Sequence, residues 1–540
     1  MKTILFVLLA TLPCFTVAQT EINTNDYRLL VGPDLPSKSA FTVSEIFGHD
    51  ASGYYVIRSK KRGMFGSMAF YKNSGSINEK AKFFIEKYDY QLKLVKSIDL
   101  DEILERAGYE YHFIDYQNKK IQLYITQYNY DQKSRALFTQ EIDQESLLPI
   151  GEPIELHRNN DLKSSNFKGE LYASSVSPNE RYNFLLIESD IKDKDSRNLV
   201  LLSFDQDFNK MWETELNIPF PKKYVDVMSV KIDNFNQAHI LVKIKNEVNP
   251  QLYQLKIYSI IDEGGVTKEM MLNVPDRHLS NIQTASFNEN ELVCAGFYSN
   301  KQYSSIAGTF YFKLDFVHQQ ILEEKYSEFE IDFITLFMSD KNAKKMEKKD
   351  KKGKDVEMPD YKLDELIIKE DGSILLIAEQ FRIDVVTSYY GQYGASTTTY
   401  YFNYNDIIVV NYSKAGDVQW MTKVPKAQRT AGDEGFYSSY SMIMQDDNLY
   451  FIYNDNLDNF LLDDVKKIRN YVPTSTNSAT MISHIDQDGK HKKEVLLYNQ
   501  QLDAVVKPTI SRHLSRNEII LYAHRGSNQN FIAVDLKKRK

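Results

Sequence analysis

Cysteine is almost missing from this 540-residue sequence: Cys14 and Cys294 are the only two. Cys14 falls inside MKTILFVLLATLPCFTVAQT, where Lys2, the apolar run Thr3 to Phe15 and the small residues Thr16-Val17-Ala18 read as an export signal covering residues 1–18. Pro13 ahead of Cys14 fits a lipid-attachment pattern badly. Once the signal is removed Cys294 is alone, so no disulfide can form within the chain. An exported chain of this kind relies on a large core instead. Beyond the signal no run approaches the roughly 20 apolar residues of a membrane-spanning helix. A net charge of −8 is small for the length and gives no sign of nucleic-acid binding.

Catalytic signatures are also missing. The sequence has no G-x-S-x-G elbow, H-E-x-x-H helix, P-loop or dinucleotide-binding glycine pattern. Its ten histidines form no H-x-H or H-x-x-x-H pair. Asp486-Gln487-Asp488-Gly489 opens like a calcium loop, but Lys490, His491, Lys492 and Lys493 follow where a later acidic ligand would stand. Cys294 sits in the strand pattern ELVCAGF and reads as a small core residue. The expectation is therefore no cofactor, no metal and no assigned catalytic residue. One sequon, Asn411-Tyr412-Ser413, and the scarcity of cysteine favour a bacterial envelope over a eukaryotic secretory route.

Alternating runs are abundant. GYYVIRS (53), KIQLYITQ (120), NFLLIES (183), HILVKI (239), ELVCAGF (291), ILLIAEQ (374), LYFIYND (449) and IILYAHR (519) each carry the period of a strand, and most follow a polar turn. A second element repeats after five of them. VVNYSKAGDVQWMTKV (409–424) aligns without a gap onto LLSFDQDFNKMWETEL (201–216), superposing Trp420 on Trp212, the only tryptophans. The same frame fits YSIIDEGGVTKEMML, FYFKLDFVHQQILEE and ISHIDQDGKHKKEVL. In it Ser413, Asp205, Asp262, Asp315 and Asp486 cap a tight turn, and Gly416, Phe208, Gly265, His318 and Gly489 follow at the position that takes a positive φ.

A run plus a hairpin makes about four strands. The fold class expected is all-β, a single β-propeller of seven or eight four-stranded blades, eight preferred, filling residues 19–540. Tandem sandwiches need a longer period and a solenoid a shorter one. The last unit, from Pro508, holds only three strands, so YRLLVGP (27–33) is expected to supply its fourth. DEILERAG (101) and LLDDVKKIRNY (461) are expected as short helices.

AEQF (378–381), DIIVVNYSKAGDVQW (406–420) and SSYSMIMQDDNLYFIYND (438–455) resemble a family, itself without an established activity, of exported β-propeller-like proteins of Gram-negative bacteria. The likeness covers about a sixth of the chain. It implies fold and compartment, the periplasm or cell envelope, and lends no catalytic residue.

Two inserts stand out. Residues 341–358 carry eight lysines and are expected as a mobile loop, either plainly solvated or in contact with an anionic partner. Residues 385–405 are rich in tyrosine, and Tyr389, Tyr390, Tyr393, Tyr400, Tyr401 and Tyr404 are the candidate binding residues. Gly391 and Gly394 interrupt alternation, so these rings need not share a face; a ribbon whose tyrosines cover one another is the plain alternative. The function expected is an exported binding or scaffold protein whose partner is an envelope protein or a glycan. The alternative is a carbohydrate-active hydrolase with acidic residues in the propeller channel.

Overall fold

A computed structural model describes residues 20–537 apart from 25, 37–40, 61–81, 161–170, 189–193, 273, 275–276, 301–304, 360, 391–394, 461, 463 and 474. The export signal, residues 1–18, lies outside the described residues. Among them are eight antiparallel sheets of four or five strands, seven built from one continuous stretch of chain each.

Each of the eight alternating runs forms the second strand of its sheet, from Gly53–Lys60 in the first to Glu518–Arg525 in the eighth. The reason is visible in their burial. Gly53–Lys60 is buried at seven of eight positions, because a second strand has strands on both edges and a neighbouring sheet on both faces. The fourth strand Lys210–Ile218 instead alternates buried and exposed, as one free edge and one wet face require.

Hydrophobic clusters join the sheets in chain order. Phe47, Tyr55 and Ile57 of the first pack on Ile114, Leu123 and Phe138 of the second. Tyr124 and Leu137 of the second meet Leu185 and Leu202 of the third. The series continues sheet by sheet to the eighth. An eighth cluster sets Ile520, Tyr522 and Phe531 of the last sheet against Val43, Tyr54, Val56 and Tyr88 of the first. Face-to-face packing of serial four-stranded meanders is the propeller arrangement.

Tyr27–Val31 pairs antiparallel with Asn528–Leu536, Tyr27 opposite Leu536, so the N-terminal segment completes the last sheet as the sequence implied. Thr20–Asn23 adds a fifth strand outside it.

The repeated hairpins are third-to-fourth strand turns. Asp205 Oδ1 accepts from the backbone N–H of Asp207 and Asn209, and Asp486 Oδ1 from those of Asp488 and Lys490. The Asp486 carboxylate is thus used by its own turn. The positive φ falls at Phe208, Gly416 and Gly489 as expected. It does not fall at Gly265 or His318: the left-handed residues there are Asp262, Glu263 and Gly264, and Gln319, because those two turns are wound differently. Trp212 lies over Gly264 of the next sheet, and Trp420 over Gly489 of the next. A Cβ on Gly489 would stand 2.7 Å from Trp420 Cδ2, so that glycine is needed both for its φ of +79° and for its missing side chain.

The helix expected near 101 is present as α1 (Leu100–Ala107), with Asp99 capping Glu102 N–H. That expected near 461 is absent. Two short 3₁₀ turns, Leu457–Phe460 and Val465–Lys467, stand there, because Asn459 bonds Asp455 Oδ1 and the backbone of Arg469 on both sides. The lysine-rich insert is not a loop throughout. After the short α2 (Ile331–Thr335) it forms α3 (Asp340–Asp350), closed by Gly353 N–H to the Asp350 carbonyl and Lys354 N–H to the Lys349 carbonyl. Ala343 anchors it at 2% exposure, and the insert's far boundary, Met358, is also 2% exposed. Among the described residues no helix is long and apolar enough to cross a membrane.

Candidate functional site: the long ribbon of the sixth sheet

Because each sheet is a meander, its first-to-second and third-to-fourth turns lie at one end, and its second-to-third and sheet-to-sheet connections at the other. α1, α3 and the tyrosine-rich insert therefore all belong to the same end. There the second and third strands of the sixth sheet, Ile374–Tyr390 and Ala395–Tyr412, run on past their neighbours as a two-stranded ribbon. A bulge at Asn405-Asp406, opposite Gln380 and between the Glu379 and Phe381 pairs, separates ribbon from sheet. Beyond it the ribbon climbs about ten residues, roughly 33 Å at strand rise.

Register assigns its faces. Phe381 stands opposite Tyr404, Ile383 opposite Phe402 and Val385 opposite Tyr400, which gives one apolar face. Arg382 opposite Asn403 and Asp384 opposite Tyr401 give the other, and the Arg382 guanidinium lies 2.7 Å from the Asp384 carboxylate on it. The outer part of the apolar face is wet, with Ile383 38%, Val385 58% and Tyr400 43% exposed, whereas Phe402 nearer the root is buried.

Of the six candidate tyrosines, the three whose side chains are described, Tyr400, Tyr401 and Tyr404, differ in surroundings. Tyr400 is exposed on the apolar face. Tyr401 lies on the polar face, half-buried, with the Arg429 guanidinium 4.4 Å from its ring centre. Tyr404 is structural: its ring packs 4.7 Å from that of Phe381 and against Gly435, and burial pushes its hydroxyl pKa up. The backbone of Tyr389 pairs with Ser396 and that of Tyr390 with Ala395. Tyr393 lies outside the described residues. The sequence reading missed Phe381, Ile383 and Val385, although the alternation F-R-I-D-V was there to be seen.

A buried polar floor holds the ribbon's root. Gln428–Ala431 pairs with the third strand from Tyr404 to Tyr401. Lys426, fully buried, donates to Glu379, to the Tyr404 carbonyl (3.1 Å) and to Gln428 Oε1 (3.1 Å). Ser439 Oγ donates to the second Glu379 oxygen (2.7 Å), and Gln428 Nε2 to the Asn454 carbonyl of the seventh sheet (2.8 Å). Burial raises the Glu379 pKa while the ammonium of Lys426 opposes it. In the same floor Thr430 Oγ1, Asp433 Oδ2, Ser438 Oγ and Tyr471 OH are buried with unused hydrogen-bonding capacity.

A second group of ionisable side chains lies on the first strands, which stand beside one another at the inner edges of successive sheets. Glu45 of the first sheet has its pKa pushed up to about 7, by burial foremost and then by Asp115 of the second sheet, with Arg512 of the eighth opposing. Asp115 is itself raised by burial, against its hydrogen bonds from Gln117 and the Tyr116 N–H.

No family model and no curated protein matches the sequence. Among solved structures, the chain is similar to the β-propeller domain of the Trilobed protease from Pyrococcus furiosus, at 9% identity and TM-score 0.32 over 75% of this chain and 100% of that one. It is also similar to a protein of unknown function from Bacteroides caccae, at 11% identity and TM-score 0.26 over 64% and 90%. A third is the acylaminoacyl peptidase of Pyrococcus horikoshii, at 10% identity and TM-score 0.35 over 90% and 58%. Overlaps this loose carry no argument about activity.

Proposed function

We propose that this chain is an exported binding or scaffold protein of a Gram-negative envelope, an eight-bladed propeller that presents the ribbon of its sixth blade to a protein or glycan partner. The observation that carries the reading is the ribbon's exposed apolar face. A folded chain gains nothing by holding Ile383, Val385 and Tyr400 in water on a strand pair that, among the described residues, only one sheet possesses. Residue type agrees: a tyrosine flanked by aliphatics offers large contact area at little rotamer cost. The eight serial clusters, the last joining the eighth sheet to the first, support the blade number.

The test is crosslinking capture from envelope fractions with Val385→Ser/Tyr400→Ser. Both side chains are solvent-facing, so thermal stability should change by less than about 1 kcal/mol, while capture falls at least tenfold. Undiminished capture by a stably folded variant defeats the reading.

One observation favours a second reading, a hydrolase acting on carbohydrate. The Glu45 carboxyl, although its side chain is still open to solvent, has its pKa pushed up to about 7 by partial burial and then by Asp115, as an acid paired with a second carboxylate would. Glu45→Gln should then abolish release of reducing ends from envelope polysaccharide. A pH test applies in either case. A carboxylate whose pKa is raised on folding favours the fold while protonated and loses that contribution as pH rises from about 4.5 through 7. Glu45→Gln should therefore match the parent at pH 4 and exceed it at pH 8, by about 1 kcal/mol after discounting for its contact with solvent. Equal urea midpoints at pH 8 would show that folding does not raise the Glu45 pKa.

A further inference from the structure

The lysines of the 341–354 stretch are arranged, and nothing within the chain explains the arrangement. At 100° per residue, Lys341, Lys344, Lys345, Lys348 and Lys349 fall within one half of the α3 circumference. Ala343, Met346, Glu347 and Asp350 fall on the other half, and Ala343 seats the helix on the body. Lys351, Lys352 and Lys354 follow past its C-terminal end. All eight lysines are exposed, and among the described residues none forms an ion pair. The ion pair that does fix the helix uses its single N-terminal acid, Asp340, with Lys466 of the seventh sheet's long connection (3.0 Å).

The pattern works against the helix. Lys341 and Lys345, Lys344 and Lys348, and Lys345 and Lys349 are like charges four residues apart, each pair unfavourable. It also polarises the molecule: without these eight lysines the net charge of −8 would be −16. The stretch contains no arginine. Arginine suits fixed bidentate contacts with the carboxylates of a protein, whereas lysine is a point charge on a flexible stem that tolerates variable geometry. A row of such charges about 12 Å long, on one face of a helix held at the connection end of the molecule, matches a surface of many equivalent phosphates.

We propose that α3 docks this end of the protein onto an anionic phospholipid surface. The docking is peripheral and reversible: the lysines sit above the phosphate plane, and no segment needs to enter the hydrocarbon. It is independent of the ribbon reading, since it rests on α3 alone.

The test is flotation of the full chain with vesicles of phosphatidylcholine containing 30% phosphatidylglycerol, against phosphatidylcholine alone, at 50 mM and 300 mM salt. Binding is expected to the anionic vesicles only and to fall steeply at 300 mM salt. At about 1 kcal/mol per basic residue near such a surface, each Lys→Gln change weakens binding roughly fivefold, and Lys341→Gln/Lys344→Gln/Lys345→Gln/Lys348→Gln more than a hundredfold. An unchanged thermal melt of that variant would exclude misfolding. Equal binding to both vesicle types, or binding that survives the four substitutions, overturns the proposal. So does the loss of an acidic protein from the captured set when the parent ignores the vesicles.

Discussion

Replacing Lys426 with methionine should cost the fold about 3–5 kcal/mol, because it removes the counter-ion of a buried carboxylate and leaves that charge uncompensated. The Lys426 ammonium has no solvent contact and bonds Glu379, Gln428 and the Tyr404 carbonyl at once. The loss has a pH signature. Without Lys426 the Glu379 pKa, already raised by burial, rises further, so the variant favours a protonated Glu379. A raised carboxylate pKa contributes stability at low pH and forfeits it as pH rises. The deficit, read from urea midpoints, should be largest at pH 8 and shrink below about pH 5. Adding Glu379→Leu should restore most of it, since a buried pair replaced as a unit by apolar groups is often near neutral. A double variant as unstable as the single one would mean that the Tyr404 and Gln428 contacts, rather than the ion pair, hold the ribbon's root.

The second large effect belongs to Trp212. Its alanine variant should lose about 3–5 kcal/mol, the combined cost of lost transfer energy and a cavity at a sheet-to-sheet junction. The ring is 5% exposed, donates Nε1–H to the Asn236 carbonyl (3.2 Å) and covers Gly264 of the next sheet. Trp420 holds the equivalent place over Gly489 and donates to the Gln487 carbonyl (2.8 Å), but it is half-buried. Trp420→Ala should therefore cost less, about 1–3 kcal/mol. A larger loss at Trp420 than at Trp212, measured as a midpoint shift at constant slope, would contradict this ordering.

The legible parts of the fold were those governed by one local rule. Second strands such as Glu291–Ser299 are buried on both faces, so each reads as a dense β-branched and aromatic run. Turn chemistry around Asp205, Ser413 and Asp486 is likewise local, so five hairpins could be superposed before any strand was placed. What stayed hidden depends on partners far away in sequence. The α3 lysines looked like a solvated run because the residue that seats the helix is a single alanine, Ala343. Lys426 and Glu379, 47 residues apart, carry no mutual signal in the chain. Tyr404 and Tyr400 look alike in sequence, yet Gly435 and Phe381 cover one and nothing described covers the other.

The strand that finishes the last sheet is made long before the strand it joins. Tyr27 and Leu536 lie 509 residues apart, so until Asn528–Leu536 is made, Tyr27, Leu29 and Val31 have only the short Thr20–Asn23 strand to pair with. At about 5–20 residues per second that wait is roughly 25–100 s, during which an apolar N-terminal segment needs shielding by chaperones. A product lacking Asn528–Leu536 would leave Tyr27–Val31 and Glu518–Arg525 each with an open edge, and quality-control proteases would meet it as an unfinished chain rather than a shortened protein.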